Sequence, residues 1–470
     1  MDVVNRAGSG PLRKRELCTV VALDVANAFN TARWCKIAEA LNRKETPPYL
    51  MRVIYNYLSE RTLVYGEGKS RTLSCGVPQG SVLGPLLWNV MYDDLLNLEI
   101  EGNLQGPSTS TLVAFADDIA IIATGRTTAA LQTATNETLM AVSEWLEENG
   151  LKLSIIKTEA VILTTKRGYD QPEFTLNGIK IDIKEQIRYL GVELSRVWGF
   201  RKHIEKAAAK ASSTASNLAR IMPNVGGASH KKRKIFGAIV YSQTLYAAPI
   251  WVHALEFDIN KSTLLKPQRI IALRIAMGYR TVSTEAILVV AGIIPVHLMA
   301  LERLKSHKDR TSKDTSREES FTKWQDEWNE AKTGRWTRRM IPDVKRWATR
   351  KHGEINFHLT QMLTGHGCFR EYLHRFKRTV DTMCVDCSAP RDDAEHAIFH
   401  CDRWWRQRRD LEVKMGKALE PEVMVDFMLK NRNHWNAVGE FVSGILSKRE
   451  EEERARQRAE KYILPVRYLL

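Results

Sequence analysis

The chain has 470 residues, 44% of them hydrophobic and 27% charged, and a net charge of +15. That length holds two to four domains with a substantial core, so staples of the kind small scaffolds need are not expected. No apolar stretch approaches the length of a membrane span, and Met1 to Glu16 lacks the apolar block of a secretory signal, so the expectation is a soluble intracellular protein with no membrane partner.

In chain order, Thr19 to Leu23 reads as a short apolar strand ending at Asp24, and Trp34 to Leu58 as mostly helix interrupted at Pro47-Pro48. Thr62 to Tyr65 and Arg71 to Cys75 flank Gly66-Glu67-Gly68, a hairpin signal. Gly76-Val77-Pro78-Gln79-Gly80-Ser81 then leads into a helix from about Val82 to Leu98. Phe115-Ala116-Asp117-Asp118 lies between the apolar runs Leu112 to Ala114 and Ile119 to Ala123, which predicts a second hairpin whose tight tip gathers both carboxylates near one point. An adjacent acid pair is more often a solvated turn. Acids in so apolar a setting, with Asp24 ending another apolar run, instead suit hard divalent cations beside substrate phosphates.

A helix carrying Leu131, Val142, Trp145 and Leu146 on one face stops at Gly150, short strands run from Leu151 to Leu163, and Phe174 to Leu194 adds more. From His203 to about Met277 the pattern turns helical and alanine-rich, which places a domain boundary near residue 198. Residues 201–280 carry 14 Lys and Arg against 3 Asp and Glu, a field suited to a polyanion and to salt-sensitive binding, with a solvated basic face as the alternative. The polar stretch 309–320 reads as a linker, and Ser447 to Lys461 as a charge-rich helix or frayed tail. Trp324, Trp328, Trp336 and Trp347 read as packing aromatics of a helical connector.

Seven scattered cysteines give no disulfide framework. Cys384, Cys387, His396 and Cys401 offer three thiolates and an imidazole at spacings that suit tetrahedral Zn2+, with His400 competing with Cys401 as fourth ligand and plain packing cysteines as the alternative. Flanking Arg403, Arg406, Arg408, Arg409, Trp404 and Trp405 are candidates for phosphate contacts and base stacking.

The ordered set Leu23-Asp24-Val25-Ala26-Asn27-Ala28-Phe29, Gly76 to Pro85, Phe115-Ala116-Asp117-Asp118 and Tyr189-Leu190-Gly191 resembles a reverse transcriptase of the non-LTR retrotransposon branch, across residues 19 to about 195. Asp24 to Asn30 most resembles the insect elements that insert into ribosomal DNA. The resemblance implies an α+β fold: a right-hand polymerase palm at 1–198, a helical thumb at 199–300, a helical connector at 301–375, a CCHC zinc motif at 376–412 and a charged helical tail at 413–470. It implies Asp24, Asp117 and Asp118 as Mg2+-binding acids, Phe29 as a sugar-selecting gate, and Gln79-Gly80 as template and nucleotide surface. Core packing is the alternative for Phe29, and a mere turn for Gln79-Gly80. Lys157 matches a lysine that protonates departing pyrophosphate, a solvated lysine being the alternative, and Tyr189-Leu190-Gly191 would join the primer grip.

Implied partners are an element RNA template, a nicked target DNA primer and deoxynucleoside triphosphates, acting in the nucleus with a cytoplasmic ribonucleoprotein stage. Such enzymes carry fingers and an endonuclease ahead of the first catalytic strand, where this chain has 23 residues. A carboxy-terminal part of a larger polyprotein, weak as an isolated polymerase, is therefore the expectation. The rival expectations are an idle nucleic-acid-binding relic and a C-terminal endonuclease region.

Overall fold

Leu17–Asp24 (LCTVVALD) is a nearly unbroken apolar run, and such a run is stable as a strand only when covered on both faces and both edges. It becomes β1, buried along almost its whole length, at the centre of a five-stranded sheet. The computed structural model describes residues 16–98, 108–166, 168–197, 199–308 and 313–463. Most of the region Met1 to Glu16, residues 309–312 of the polar stretch, and residues 464–470 lie outside those described.

The chain divides into two units, residues 1–200 and 201–470. In the first, β1 pairs antiparallel with β5 (Asp118–Gly125) on one side and with β6 (Glu159–Leu163) on the other. A hairpin partner, β4 (Thr109–Phe115), extends the sheet beyond β5, and β9 (Ile183–Lys184) runs parallel to β6 at the opposite edge. Small hairpins complete the strands: β2 (Thr62–Tyr65) with β3 (Lys69–Thr72), β7 (Thr175–Leu176) with β8 (Ile179–Lys180), and β10 (Gln186–Tyr189) with β11 (Val192–Ser195).

Helices α1 (Trp34–Arg43), α2 (Pro48–Leu58), α3 (Leu83–Leu96) and α4 (Thr128–Glu148) complete this unit, so it mixes helix and sheet as expected. The Thr127 hydroxyl caps α4 by accepting from the Ala130 N–H at 3.1 Å, and Leu131, Leu139, Val142 and Leu146 at helical spacing bury its inner face.

Three sequence expectations need correction. The second arm of the first hairpin is Lys69–Thr72 rather than Arg71 to Cys75, because Cys75 instead forms a bridge with Arg33. Residues 151–163 are not strands throughout: Ile155–Lys157 is a single 3-10 turn, closed by Lys157 N–H to Ser154 O at 3.0 Å and Thr158 N–H to Ile155 O at 3.1 Å. Polar residues 313–320 are not linker but the first turns of a helix, Lys313–Glu330, whose Ser316 and Ser320 are buried beside Phe321 and Trp324. Polarity misled there because the two buried serines look solvent-facing in sequence, and the Ser320 hydroxyl satisfies itself on Ser316 O at 3.0 Å.

The second unit is helical: α5 (Arg201–Arg220), α6 (His230–Thr244), α7 (Asp258–Ile275), α8 (Thr284–Ala291), α9 (Val296–Lys308), α10 (Lys313–Glu330), α11 (Val344–Ala348), α12 (Phe357–Thr364), α13 (Trp405–Met415), α14 (Pro421–Lys430) and α15 (Arg432–Ile463), with further short helices and turns between them. One hydrophobic core runs from Ala211 to Leu446 and takes in Trp324, Trp328 and Trp347. Trp336 is half-buried and donates its indole N–H to Met362 O at 2.6 Å. Among the described residues no single helix is long and apolar enough to cross a membrane.

Buried Arg233 on α6 ties down the α5–α6 loop. Its guanidinium donates to Ala228 O at 2.7 Å, Met222 O at 3.3 Å, Arg274 O at 2.8 Å, Pro223 O at 2.5 Å and Gly226 O at 3.1 Å. Replacing it by methionine leaves these carbonyls without their donor, and a loss of about 3 kcal/mol is expected. Urea unfolding followed by tryptophan fluorescence reads this loss, and an unchanged midpoint would contradict the role.

Candidate active site and metal centre

Antiparallel pairing of β1 with β5 sets Asp24 directly opposite Asp118 in register, at the end of both strands. Asp117 precedes Asp118 in the β4–β5 turn, which Ala116 completes in the left-handed region at φ 55°. Three carboxylates from distant parts of the sequence thereby share one sheet edge. Burial first, then the charges of Asp117 and Asp24, raise the Asp118 carboxyl above the ordinary aspartate range. A divalent cation among them would favour the ionised carboxylates, and an oxygen-only donor set suits Mg2+.

The support under this edge comes from α3. Trp88, fully buried, donates its indole N–H to Ala116 O at 2.9 Å and stacks on Tyr92 with ring centroids 4.8 Å apart. Burial, with Asp117 as the next cause, raises the Tyr92 phenol above its usual range, and burial beside Asp118 raises Tyr189 to about 12. Among the described residues neither buried hydroxyl has a hydrogen-bond partner. Sequence reasoning missed Trp88 and Tyr92; their apolar helical spacing signals burial but not the reach of Trp88 to the acid turn.

Phe29 sits in the short helical turn Ala28–Thr31, half-buried, its ring 5.2 Å from that of Trp88. The same turn holds the glycine-rich loop, since Val77 N–H donates to Phe29 O and Gly76 N–H to Ala32 O, both at 2.7 Å. Gln79 and Gly80 are exposed beyond this anchor. Gly80 has φ 81° and open space where a Cβ would stand, so backbone conformation rather than close approach calls for glycine. Gly84 is the tight position: a Cβ there would lie 2.5 Å from Pro78 O.

Lys157 reaches the acids through backbone geometry. Ala26 N–H donates to Lys152 O and Ser154 N–H to Asp24 O, each at 2.8 Å, and the 3-10 turn that follows brings the Lys157 ammonium 3.0 Å from Asp24 Oδ2. The lysine side chain is 68% exposed, so the pair is worth at most about 1 kcal/mol and yields readily to a metal ion. Tyr189-Leu190-Gly191 forms the tip of the β10–β11 hairpin, with Leu190 and Gly191 at φ 44° and 78°, the left-handed pair of a two-residue turn.

In the second unit the ligand atoms of Cys384, Cys387, His396 and Cys401 all lie within 4.8 Å of one another. Cys387 Sγ is 3.3 Å from His396 Nε2, Cys384 and Cys401 sulfurs are 3.9 Å apart, and Cys401 and Cys387 sulfurs 4.0 Å. A tetrahedral ion bonded to sulfur at about 2.3 Å separates its ligands by about 3.8 Å, so this quartet can hold a metal. His400 is the competitor that loses: its side chain is 61% exposed and turned toward Glu395.

Burial raises the Cys401 thiol to about 12 and lowers the His396 imidazole, so the histidine is neutral and ready to ligate while the thiol must release a proton. The neighbouring basic and aromatic residues divide. Arg403 is held by Asp386 and Glu452, Arg408 donates to Cys401 O at 3.1 Å, and Trp404 is buried, so these three are structural, contrary to the sequence expectation. Trp405, Arg406 and Arg409 are exposed.

Two outcomes follow. A raised carboxyl pKa favours the protonated folded state, so the Asp118 charge destabilises the metal-free fold above the ordinary aspartate pKa and has no such effect below it. Asp118→Asn should therefore melt no lower than the parent at neutral pH without metal and gain less from added Mg2+; a lower melting point with an undiminished Mg2+ gain would count against the shared site. Cys401→Ser should reduce bound zinc, measured by elemental analysis, and lower the melting temperature of the second unit, whereas full zinc content in the variant would exclude Cys401 as a ligand.

Residues 9–194 match the family model of reverse transcriptase (RNA-dependent DNA polymerase). The chain is 28% identical over 408 residues to the Retrovirus-related Pol polyprotein from type-1 retrotransposable element R1 2 of Nasonia vitripennis, covering 80% of this chain and 97% of that protein. It is 25% identical to the corresponding polyprotein of Bradysia coprophila over 81% of this chain and 40% of that one. The RNA-directed DNA polymerase from mobile element jockey of Drosophila melanogaster is 26% identical over 54% of this chain and 28% of its own length. The chain thus spans less than half of the latter two relatives. Residues 9–194 match a reverse transcriptase domain, and over most of its length the chain is similar to the Pol polyproteins of type-1 retrotransposable elements.

Proposed function

We propose that this chain is an RNA-directed DNA polymerase that extends a nicked target DNA primer along the element's own RNA, consuming deoxynucleoside triphosphates. The observation that carries this reading is the register of Asp24 against Asp118 with Asp117 in the adjoining turn. In it, the first unit serves as the palm. Asp24 and Asp117 would hold the divalent ions, and Asp118 completes the negative field. Mg2+ bound there would lower the pKa of the primer hydroxyl and neutralise charge on the transferring and leaving phosphoryl oxygens.

The rest of the work falls to the chain's own groups. Phe29, its ring packed 5.2 Å from that of Trp88, acts as the gate that selects against a 2′-hydroxyl on the incoming sugar. Gln79 and Gly80 offer an exposed amide and bare backbone to the template and incoming base. Lys157 sits close enough to shift from Asp24 to departing pyrophosphate and give it a proton. The basic helices after residue 200 act as the thumb on the duplex, the Cys-His quartet binds Zn2+ as a nucleic-acid-handling element, and the reaction takes place in the nucleus at the insertion site.

Primer extension on an RNA template tests the reading. Asp117→Asn should lower Mg2+-dependent synthesis by about a thousandfold, the effect of several kcal/mol of lost charge stabilisation, while oligonucleotide binding stays within about twofold. Equal loss of binding and synthesis would overturn the assigned role.

A further inference from the structure

Two cations in the second unit converge without a counter-charge. The C-terminal end of α8 closes at Gly292, in the left-handed region at φ 66°. A Cβ at that glycine would lie 3.4 Å from Lys234 Nζ on α6 and 3.7 Å from Arg350 Nη1, just after α11. Both cationic heads therefore meet over one bare stretch of backbone. Among the described residues neither makes an ion pair with a carboxylate. Arg350 Nη1 donates to Trp347 O at 2.6 Å, while its Nε is buried with no partner. One turn before Lys234, His230 is buried with Nδ1 on Ile275 O at 3.2 Å and Nε2 unpartnered.

Intramolecular interactions offset only part of this charge. The Arg350 guanidinium lies over the rings of Trp347 and Trp435, at 4.2 and 5.1 Å, and such contacts are worth about 1–2 kcal/mol. The dipole at the end of α8 supplies about half a negative charge against two full cations. Burial and the neighbouring guanidinium pull the Lys234 ammonium down to about 8, and burial pulls Arg350 to about 10, with no acid acting in the other direction. Arg233, equally basic and on the same helix, is satisfied by five carbonyls, so the fold can neutralise a buried cation here and at Lys234 and Arg350 does not.

We propose that Lys234 and Arg350, converging over Gly292, form a recessed receptor for a single phosphoryl group, occupied by one backbone phosphate of a bound nucleic acid. The three ammonium donors beside a second fixed positive charge suit the oxygens of a phosphate. The local excess of basic residues across 201–280 supplies the field that brings a polyanion there. The inference stands on the second unit alone and does not depend on the polymerase reading.

Fluorescence anisotropy of the full chain with a labelled RNA–DNA duplex, repeated across salt concentrations, tests it against Lys234→Met. That variant removes a repelling charge and should fold. The slope of log affinity against log salt should flatten by about one unit, and Lys234→Arg should restore it. Thermal melting with inorganic phosphate, against chloride at matched ionic strength, separates the sources: a melting gain confined to the parent, with the salt slope unchanged, would replace the backbone occupant by free phosphate. No change in slope and no phosphate gain overturns the site, leaving aromatic packing of Arg350 only. If Lys234→Met does not fold, hydrogen exchange of the parent at residues 288–293 decides, and no slowing with duplex or phosphate overturns the proposal.

Discussion

The structure depends on one pairing, the antiparallel register of β1 with β5. A shift of that register by one residue would turn Asp24 to the opposite face of the sheet and separate it from Asp118. Packing holds the register: Val21, Leu23, Ile119 and Ile121 are buried at 3% exposure or less, and a slip would put the differently shaped side chains of the opposite face in their places. The acids themselves oppose the arrangement, as the raised Asp118 carboxyl shows. A bound cation relieves that repulsion, and the Lys157 ammonium, 3.0 Å from Asp24 Oδ2, sits at the same spot.

The chain handles buried charge in three ways. Arg233 is neutralised by backbone carbonyls, and Arg449 by Asp392, a pair so deeply buried that removing either partner would leave an uncompensated ion. The Lys234–Arg350 pair of the second unit follows a third way, with charge of one sign gathered and no carboxylate partner among the described residues; the acids of the first unit lie nearer the surface, with Asp118 exposed and Asp24 paired with Lys157. The first two devices fasten the fold; the third marks places where a ligand completes the electrostatics. The Cys-His quartet belongs to both kinds, since Asp386, inside its first loop, is bound by Arg403, which also holds Glu452 on α15.

Much of the acid site was legible in sequence because it is encoded locally: apolar runs ending in acids, a turn between two of them, and glycines bracketing a loop. The Cys-His quartet was legible for the same reason, its ligands lying within 18 residues. What stayed hidden depends on contacts distant in sequence. Trp88 looked like any core aromatic, yet its indole N–H reaches across 28 residues to the turn carrying Asp117. Trp404 and Arg403 read as nucleic-acid contacts, but one is packed and the other ion-paired by residues from elsewhere in the chain. The choice between His400 and Cys401 turned on the irregular helical turn His396–His400, which faces His400 outward and lets Cys401 close the cage.

The central claim is that Asp24, Asp117 and Asp118 grip divalent metal together. Anomalous diffraction from crystals of the full chain grown with Mn2+ tests it most directly. The account predicts anomalous density bridging the carboxylates of Asp24 and Asp117, with the Lys157 ammonium moved away from Asp24 Oδ2. Strong density elsewhere, with none at this sheet edge and Lys157 still seated on Asp24, would contradict it.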